Sequence, residues 1–242
     1  MIFDQFEYDI RCEWGINGVE TLSPVSDVII IVDILSFSTS LDIALNKGAI
    51  VIPYLFNNEK AGDFALSINA ELADKERNAG GKYTLSPSSL TGIPKNTRLV
   101  LPSPNGSSLS LSTGNTFTLC GCFRNAKNVA EFALTKGNKI SVIPAGEKWP
   151  DGTLRPALED IAGAGAIINY LKGKLSPESR SALAFYINIK NDLLNEIKKS
   201  ASGKELMERG CENDIDLSCE INVSSSVPGL ENGEYIDLSN FS

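Results

Sequence analysis

The chain is expected to fold as an α/β protein around a parallel or mostly parallel sheet covered on both faces. Three observations carry that expectation. Val28-Ile29-Ile30-Ile31-Val32 is an unbroken β-branched run, the pattern of a strand buried on both sides. Further short apolar runs follow it, separated by helix-like stretches, and that alternation calls for crossover connections. No internal repeat, low-complexity tract or interdomain linker interrupts the 242 residues, so a single α/β domain over residues 1–242 is the simplest organisation.

Each element has its own signal. After the first strand, Thr39 to Asn46 reads as a helix closed by Lys47-Gly48, with glycine as the usual stop. Ala49 to Tyr54 is the next strand and Asn58 to Ala73 the next helix. Thr97 to Leu101 is a short strand running into the turn-rich Pro102-Ser103-Pro104-Asn105-Gly106. Thr116 to Cys120 is another strand, with a helix over Asn125 to Thr135 behind it. Lys139 to Ile143 is the last strand of the pattern. A mostly polar stretch then leads to Ala157-Leu158-Glu159-Asp160 and a small-residue helix over Glu159 to Leu171. Asn188 to Lys199 reads as helical, and Ala201 to Gly210 as a second turn-helix piece.

Composition narrows the function. The net charge of −8, with no basic cluster, argues against nucleic-acid and anionic-membrane partners. No apolar stretch approaches the roughly 18 residues that cross a bilayer, and the N-terminus lacks the basic and apolar regions of a signal peptide. Five cysteines without zinc-like spacing fit a reduced, cytoplasmic protein. There is no histidine. A Ser-His-Asp triad and a His-ligated zinc site are therefore ruled out, and any catalysis must run on carboxylates, hydroxyls, Lys/Arg, thiolate or an oxygen-ligated metal such as Mg²⁺. A thiol mechanism through Cys120 or Cys122 is the weakest of these, since no histidine is present to activate it.

In such folds ligands sit beyond the carboxyl ends of the strands. Asp33 and Ser36-Phe37-Ser38-Thr39 follow the first expected strand, Asn105-Gly106-Ser107 the third, Arg124-Asn125 the fourth. Gly146-Glu147-Lys148, Arg155 and Glu159-Asp160 follow the fifth. Each has a plain structural reading: Ser38-Thr39 as a helix cap, Asn105-Gly106 as a turn, Asp33 as a turn cap, Arg124-Asn125 as a helix start, Glu159-Asp160 as acids complementing a helix dipole. Gathered at one sheet edge they are also the inventory for a phosphate-like anion held by N–H and hydroxyl groups beside a carboxylate-held cation.

Together, Val32-Asp33-Ile34-Leu35-x-x-Ser38-Thr39, Asn105-Gly106-Ser107, Gly121-x-x-x-Asn125-Ala126, Ala145-Gly146 and Glu159-Asp160-x-x-x-Ala164-Gly165 resemble the 2-phosphosulfolactate phosphatase (ComB) family. Gly210-x-x-x-Asp214-Ile215 and Val227-Pro228 resemble its closing segment. The resemblance implies a three-layer α/β/α fold and Mg²⁺-dependent hydrolysis of a phosphate monoester on a sulfonated hydroxy acid, a step toward coenzyme M. Under it, Asp33, Glu159 and Asp160 are the expected catalytic metal ligands. Ser36, Ser38, Thr39, Asn105, Gly106, Ser107, Arg124, Asn125 and Gly146 are the expected substrate-binding set; the expected attacker is a metal-bound water, with a carboxylate or serine nucleophile as the alternative. Gly106→Val is expected to abolish activity with the fold nearly intact. Two departures stand out: the family typically carries Arg where this chain has Ser36, and of its Gly-Phe-Asp-x-Gly-Asn-Ser-Pro stretch only Thr84-Leu85-Ser86-Pro87 is recognisable. Arg124, Arg155 and Lys148 are the candidates to replace that cation. A non-catalytic or differently specific anion-binding homologue is the alternative, and a homo-oligomer is left open.

Overall fold

The computed structural model describes residues 2–56, 60–74, 77 and 81–239. The chain opens with a short strand, β1 (Ile10–Cys12), and a helix, α1 (Gly15–Leu22), neither expected from the sequence. β2 (Val28–Val32) coincides with the β-branched run, and all five of its side chains are inaccessible to solvent. α2 (Phe37–Asn46) begins two residues before the expected helix, and β3 (Ile50–Leu55) follows. α3 (Ala61–Ser67) is shorter than the helix expected over Asn58 to Ala73. Positions 58 and 59 lie outside the described residues. At the other end Asn69 takes a left-handed φ of 54°, which stops the helix before β4 (Glu71–Leu72).

β5 (Arg98–Ser103) runs into α4 (Gly106–Ser110), a short helix where only a turn was expected. β6 (Phe117–Cys120), α5 (Ala126–Lys136) and β7 (Ile140–Pro144) follow the expected order. The polar stretch after β7 forms a small hairpin, β8 (Glu147–Lys148) and β9 (Leu154–Arg155), before α6 (Leu158–Ile168). The helix α7 (Pro177–Ile189) starts on Ser176, whose side chain accepts from the Ser179 N–H, with Pro177 at the first helical position. The expected single helix over Asn188 to Lys199 is instead the end of α7, a 3₁₀ turn at Lys190–Asp192, and α8 (Leu193–Lys199). α9 (Ala201–Glu208) and α10 (Glu212–Ser218) precede a hairpin of β10 (Pro228–Glu231) and β11 (Glu234–Asp237).

The strands order as β1-β7-β2-β6-β10-β11-β3-β5-β4. β1, β7, β2 and β6 form one parallel block, and β3, β5 and β4 another. The antiparallel β10–β11 hairpin joins the blocks, so the sheet is mixed. Alternation along β2 shows how the layers form. Val28, Ile30 and Val32 enter the core shared with α5, α6 and α7, whereas Ile29 and Ile31 enter the core shared with α1, α2 and α4. The result is a three-layer α/β/α fold. Two glycines let α6 pack closely on both sides: a Cβ on Gly163 would lie 2.5 Å from Ile34 Cδ1 at the sheet, and one on Gly165 would lie 2.2 Å from the Ala182 carbonyl oxygen of α7. The Gly163 contact sets the depth at which Glu159 and Asp160 meet the sheet edge. Among the described residues no helix is long and apolar enough to cross a membrane.

Candidate active site

At the carboxyl end of β2 the chain turns into α2, and Asp33 stands at the turn. Its Oδ2 accepts the Gly106 N–H at 2.8 Å and its Oδ1 accepts the Phe37 N–H at 3.3 Å. One carboxylate therefore fastens the start of α2 to the start of α4. Asp160, at the start of α6, does the same for two strand ends. Its Oδ1 accepts the Ile34 N–H after β2 and its Oδ2 accepts the Gly146 N–H after β7, each at 2.8 Å. Glu147 accepts the Asn105 side-chain amide at 3.0 Å, tying the β8–β9 hairpin to the loop after β5.

These carboxyl groups raise one another. Burial pushes Asp33 up to about 6, and the charge of Glu159 adds to the effect while the two N–H bonds oppose it. Burial and then the charge of Asp33 push Glu147 up to about 7. Asp160 is held well above the usual carboxylate range by burial, and then by Asp33 and Glu159. The edge of the sheet therefore holds more negative charge than its surroundings solvate, a condition relieved by protons or by a cation.

Asp33 and Glu147 line a cavity of about 410 Å³ over the carboxyl ends of the strands. Ser36, Ser103 and Asn105 add hydroxyl and amide groups, and Leu35, Phe56 and Leu85 add apolar wall. Arg77 and Arg209 are its arginines among the described residues, Arg209 paired at 2.5 Å with Glu205, which also lines the cavity. A second hollow of about 280 Å³ shares Asn105 and Glu147 with the first and is bounded by Trp14, Leu109 and Leu154.

The model of the 2-phosphosulpholactate phosphatase family matches residues 18–233 of this chain. The chain belongs to that family. A 2-phosphosulfolactate phosphatase of Methanothermobacter thermautotrophicus is 30% identical over 214 residues, covering 86% of this chain and 88% of the relative. Probable 2-phosphosulfolactate phosphatases of Synechococcus sp. and Carboxydothermus hydrogenoformans are 28% and 26% identical, each match covering more than four fifths of both chains. Family members are phosphoric monoester hydrolases, and the strand-end cavity is where this phosphatase would bind a small phosphorylated ligand.

Of the residues expected from the sequence of this 2-phosphosulpholactate phosphatase family member, Asp33, Ser36 and Asn105 line the cavity. The others serve mainly to hold its frame. Ser38 Oγ accepts the Asp33 N–H at 2.7 Å, and Thr39 Oγ1 donates to the Ile34 carbonyl at 2.9 Å. Ser107 Oγ donates to the Leu101 carbonyl, and Asn125 Oδ1 accepts the Cys122 N–H. Gly146 acts through its N–H to Asp160. Arg124 is not among the cavity residues: its Nε donates at 2.8 Å to Asp42, which is fully buried, and its Nη1 pairs with Glu220. A carboxylate inside the fold needs a counter-charge, and Arg124 supplies it. Arg155 lies over the Trp149 ring and donates to Ser202, and Lys148 borders the smaller hollow, so neither joins the arginines of the main cavity.

The expectation for Gly106 is corrected. A Cβ there would lie 2.2 Å from Cδ1 of Phe37, a fully buried core ring, so a larger residue disturbs the fold as well as the site. Cys120 and Cys122 are buried and their thiols pushed up by that burial, which leaves no thiolate for catalysis. Arg77, Glu205 and Arg209 were not expected at the site, and Glu147 and Ser103, which stand at strand ends read from the sequence, had been given no role of their own there. Glu147 follows the Ala145-Gly146 signal directly, and a two-residue strand has no periodicity of its own to mark it.

The three expected metal ligands do not make a ready cage. Both oxygens of Asp160 are taken by backbone N–H groups, and Glu159 borders a different hollow, with Ser200 at 3.5 Å. Among the described residues no three Cys, Asp or Glu side chains group as a metal site. Magnesium does not require one, because it keeps several waters and uses one or two carboxylates. The donor set of Asp33 and Glu147, two hard oxygen ligands on one cavity, both raised by burial and Glu147 further by the charge of Asp33, fits that demand.

Proposed function

We propose that this protein hydrolyses 2-phosphosulfolactate to sulfolactate and orthophosphate, using Mg²⁺ held by Asp33 and Glu147. The observation that supports it best is the cavity itself, with crowded carboxylates at the strand ends of a phosphatase-family fold and an arginine bonded to a buried acid. Magnesium there would supply positive charge to the phosphoryl oxygens and offset the repulsion among the carboxylates.

The chain's own residues do the positioning. A phosphate monoester dianion repels nucleophiles, so most of the catalysis is orientation and neutralisation. Asp160 locks the β2 and β7 ends through two N–H bonds, and this fixes the backbone on either side of Asp33 and Glu147. Asn105 holds the Glu147 carboxylate in one orientation. The Ser36 hydroxyl stands at the cavity wall to donate to a ligand oxygen, while Leu35, Phe56 and Leu85 keep part of the wall dry. All five cysteines are unpaired, which suits a reducing compartment, and we place the reaction in the cytoplasm.

The test is orthophosphate release from 2-phosphosulfolactate by the purified chain, with Mg²⁺ and with EDTA. Turnover that needs Mg²⁺ supports the proposal. Absence of release at any Mg²⁺ concentration refutes the substrate, and equal release in EDTA refutes the metal.

A further inference from the structure

The cavity draws its residues from two parts of the sheet. Asp33 and Glu147 follow β2 and β7 of the first parallel block. Ser103 ends β5 of the second, and Arg77 comes five positions after β4, the strand paired with β5. Nothing so far assigns a role to this second pair.

Arg77 makes two side-chain hydrogen bonds within the protein. Its side chain is only 13% exposed, its Nη1 donates to Asp214 Oδ2 at 2.6 Å, and its Nη2 donates to Ser36 Oγ at 2.8 Å. Asp214 is itself fixed: it is 1% exposed on α10 and accepts from Ser86 Oγ at 2.6 Å and from the Ser88 N–H at 3.1 Å. A guanidinium carries five N–H donors in a rigid fork, and these two bonds leave others to meet a ligand. Ser103 supplies an independent sign. It is 1% exposed, lines the same cavity, and its Oγ has no hydrogen-bond partner among the described residues. Buried hydroxyls are nearly always bonded, so a partner is expected from the ligand.

We infer that Arg77 and Ser103 together hold a tetrahedral oxyanion of the ligand, phosphate or sulfonate, with Asp214 as the positioning residue that aims the guanidinium. The inference rests on the phosphatase reading only for the molecule to which that oxyanion belongs. The fork of Arg77 matches two oxygens of such a group, and the Ser103 hydroxyl donates to a third contact. Asp214 sets the angle of the fork, so the closing segment of the chain, although remote in sequence, shapes the anion site.

Two probes distinguish the source: orthophosphate and methanesulfonate, each titrated calorimetrically into the native chain, Ser103→Ala and Arg77→Lys. Ser103→Ala removes a hydroxyl that bonds to nothing among the described residues, so its melting temperature should not fall, yet affinity for the bound probe should drop about fivefold or more. Arg77→Lys keeps a charge beside Asp214 while losing the fork, and should weaken the probe about tenfold or more. Loss confined to the orthophosphate arm assigns the corner to the phosphoryl group, and loss confined to the methanesulfonate arm assigns it to the sulfonate. Native affinity for both probes in either variant overturns the inference, as does a native chain that binds neither. Hydrolysis of 2-phosphosulfolactate is followed in the same preparations. A native chain that binds an oxyanion through these residues but releases no phosphate refutes the proposed substrate alone, whereas full turnover with unaltered binding in the variants refutes this inference alone.

Discussion

Replacing Glu147 with Gln in the metal-free protein should stabilise it above pH 7 and leave it unchanged near pH 4. The folded protein holds this carboxyl up at about 7, through burial first and then the charge of Asp33. In an unfolded chain a Glu titrates near 4.3. Because the folded value is the raised one, the stability linked to this group is fully present below about pH 4 and is lost as pH rises through about 7. At roughly 1.4 kcal/mol per unit, the difference amounts to about 4 kcal/mol, and water at the cavity mouth reduces the expected effect to about 1–3 kcal/mol. Gln has the same shape, carries no charge, and keeps an oxygen to accept the Asn105 amide, so the bond seen at 3.0 Å survives the change. Urea unfolding in EDTA at pH 4.5 and pH 8 measures the gain, with an unchanged m-value showing that only stability moved. An equal difference at the two pH values, or no gain at pH 8, refutes the reasoning that charge crowding strains this site. With Mg²⁺ present the order should reverse: the native chain gains melting temperature from the ion and the Gln variant gains less.

Three further outcomes are expected. Asp33→Asn should abolish the rise in melting temperature that saturating Mg²⁺ gives the native chain, a stabilisation of about 2.7 kcal/mol at a hundredfold excess over Kd, measured by thermal melts with and without the ion. Gly106→Ala should cost about 1–3 kcal/mol by denaturant titration, because the new methyl meets the buried Phe37 ring, and it should lower activity in parallel. Arg124→Ala should cost about 3–5 kcal/mol by leaving Asp42 buried without its counter-charge, and any folded fraction at low temperature should retain a native KM, since the residue lies outside the cavity.

The parts of this fold legible in the sequence are those whose pattern is local. β2 could be read because both of its faces are buried, so all five positions are apolar. The meeting of the Asp33 turn with Asp160 was accessible only through the rule that strand ends gather ligands, because the bond from the Ile34 N–H to Asp160 spans 126 residues. Other signals were present and unused. Ser176-Pro177-Glu178 is a helix start. Asn232-Gly233, with φ of 51° and 82°, is the turn that makes the β10–β11 hairpin. What had no local signal is the cationic side of the cavity. Arg77 lies in a polar stretch without periodicity, and its partner Asp214 is 137 residues away.

Arg124 shows why position alone misassigns such residues. It follows a strand end, as a ligand-binding arginine would, yet α2 packs beside it and presents Asp42, a carboxylate with no exposure to water. Leaving that charge uncompensated costs several kcal/mol, more than a single contact to a solvated ligand returns, so the arginine nearest the buried acid pairs with it. The cavity must then take its cation from elsewhere, and among the described residues Arg77, bonded to the buried acid Asp214, supplies one. Because that supply depends on Asp214, removing its charge by Asp214→Asn should lower affinity for the anionic substrate while leaving the Mg²⁺ response of Asp33 and Glu147 in place. Loss of both together would show that the two sides of the cavity are not independently built.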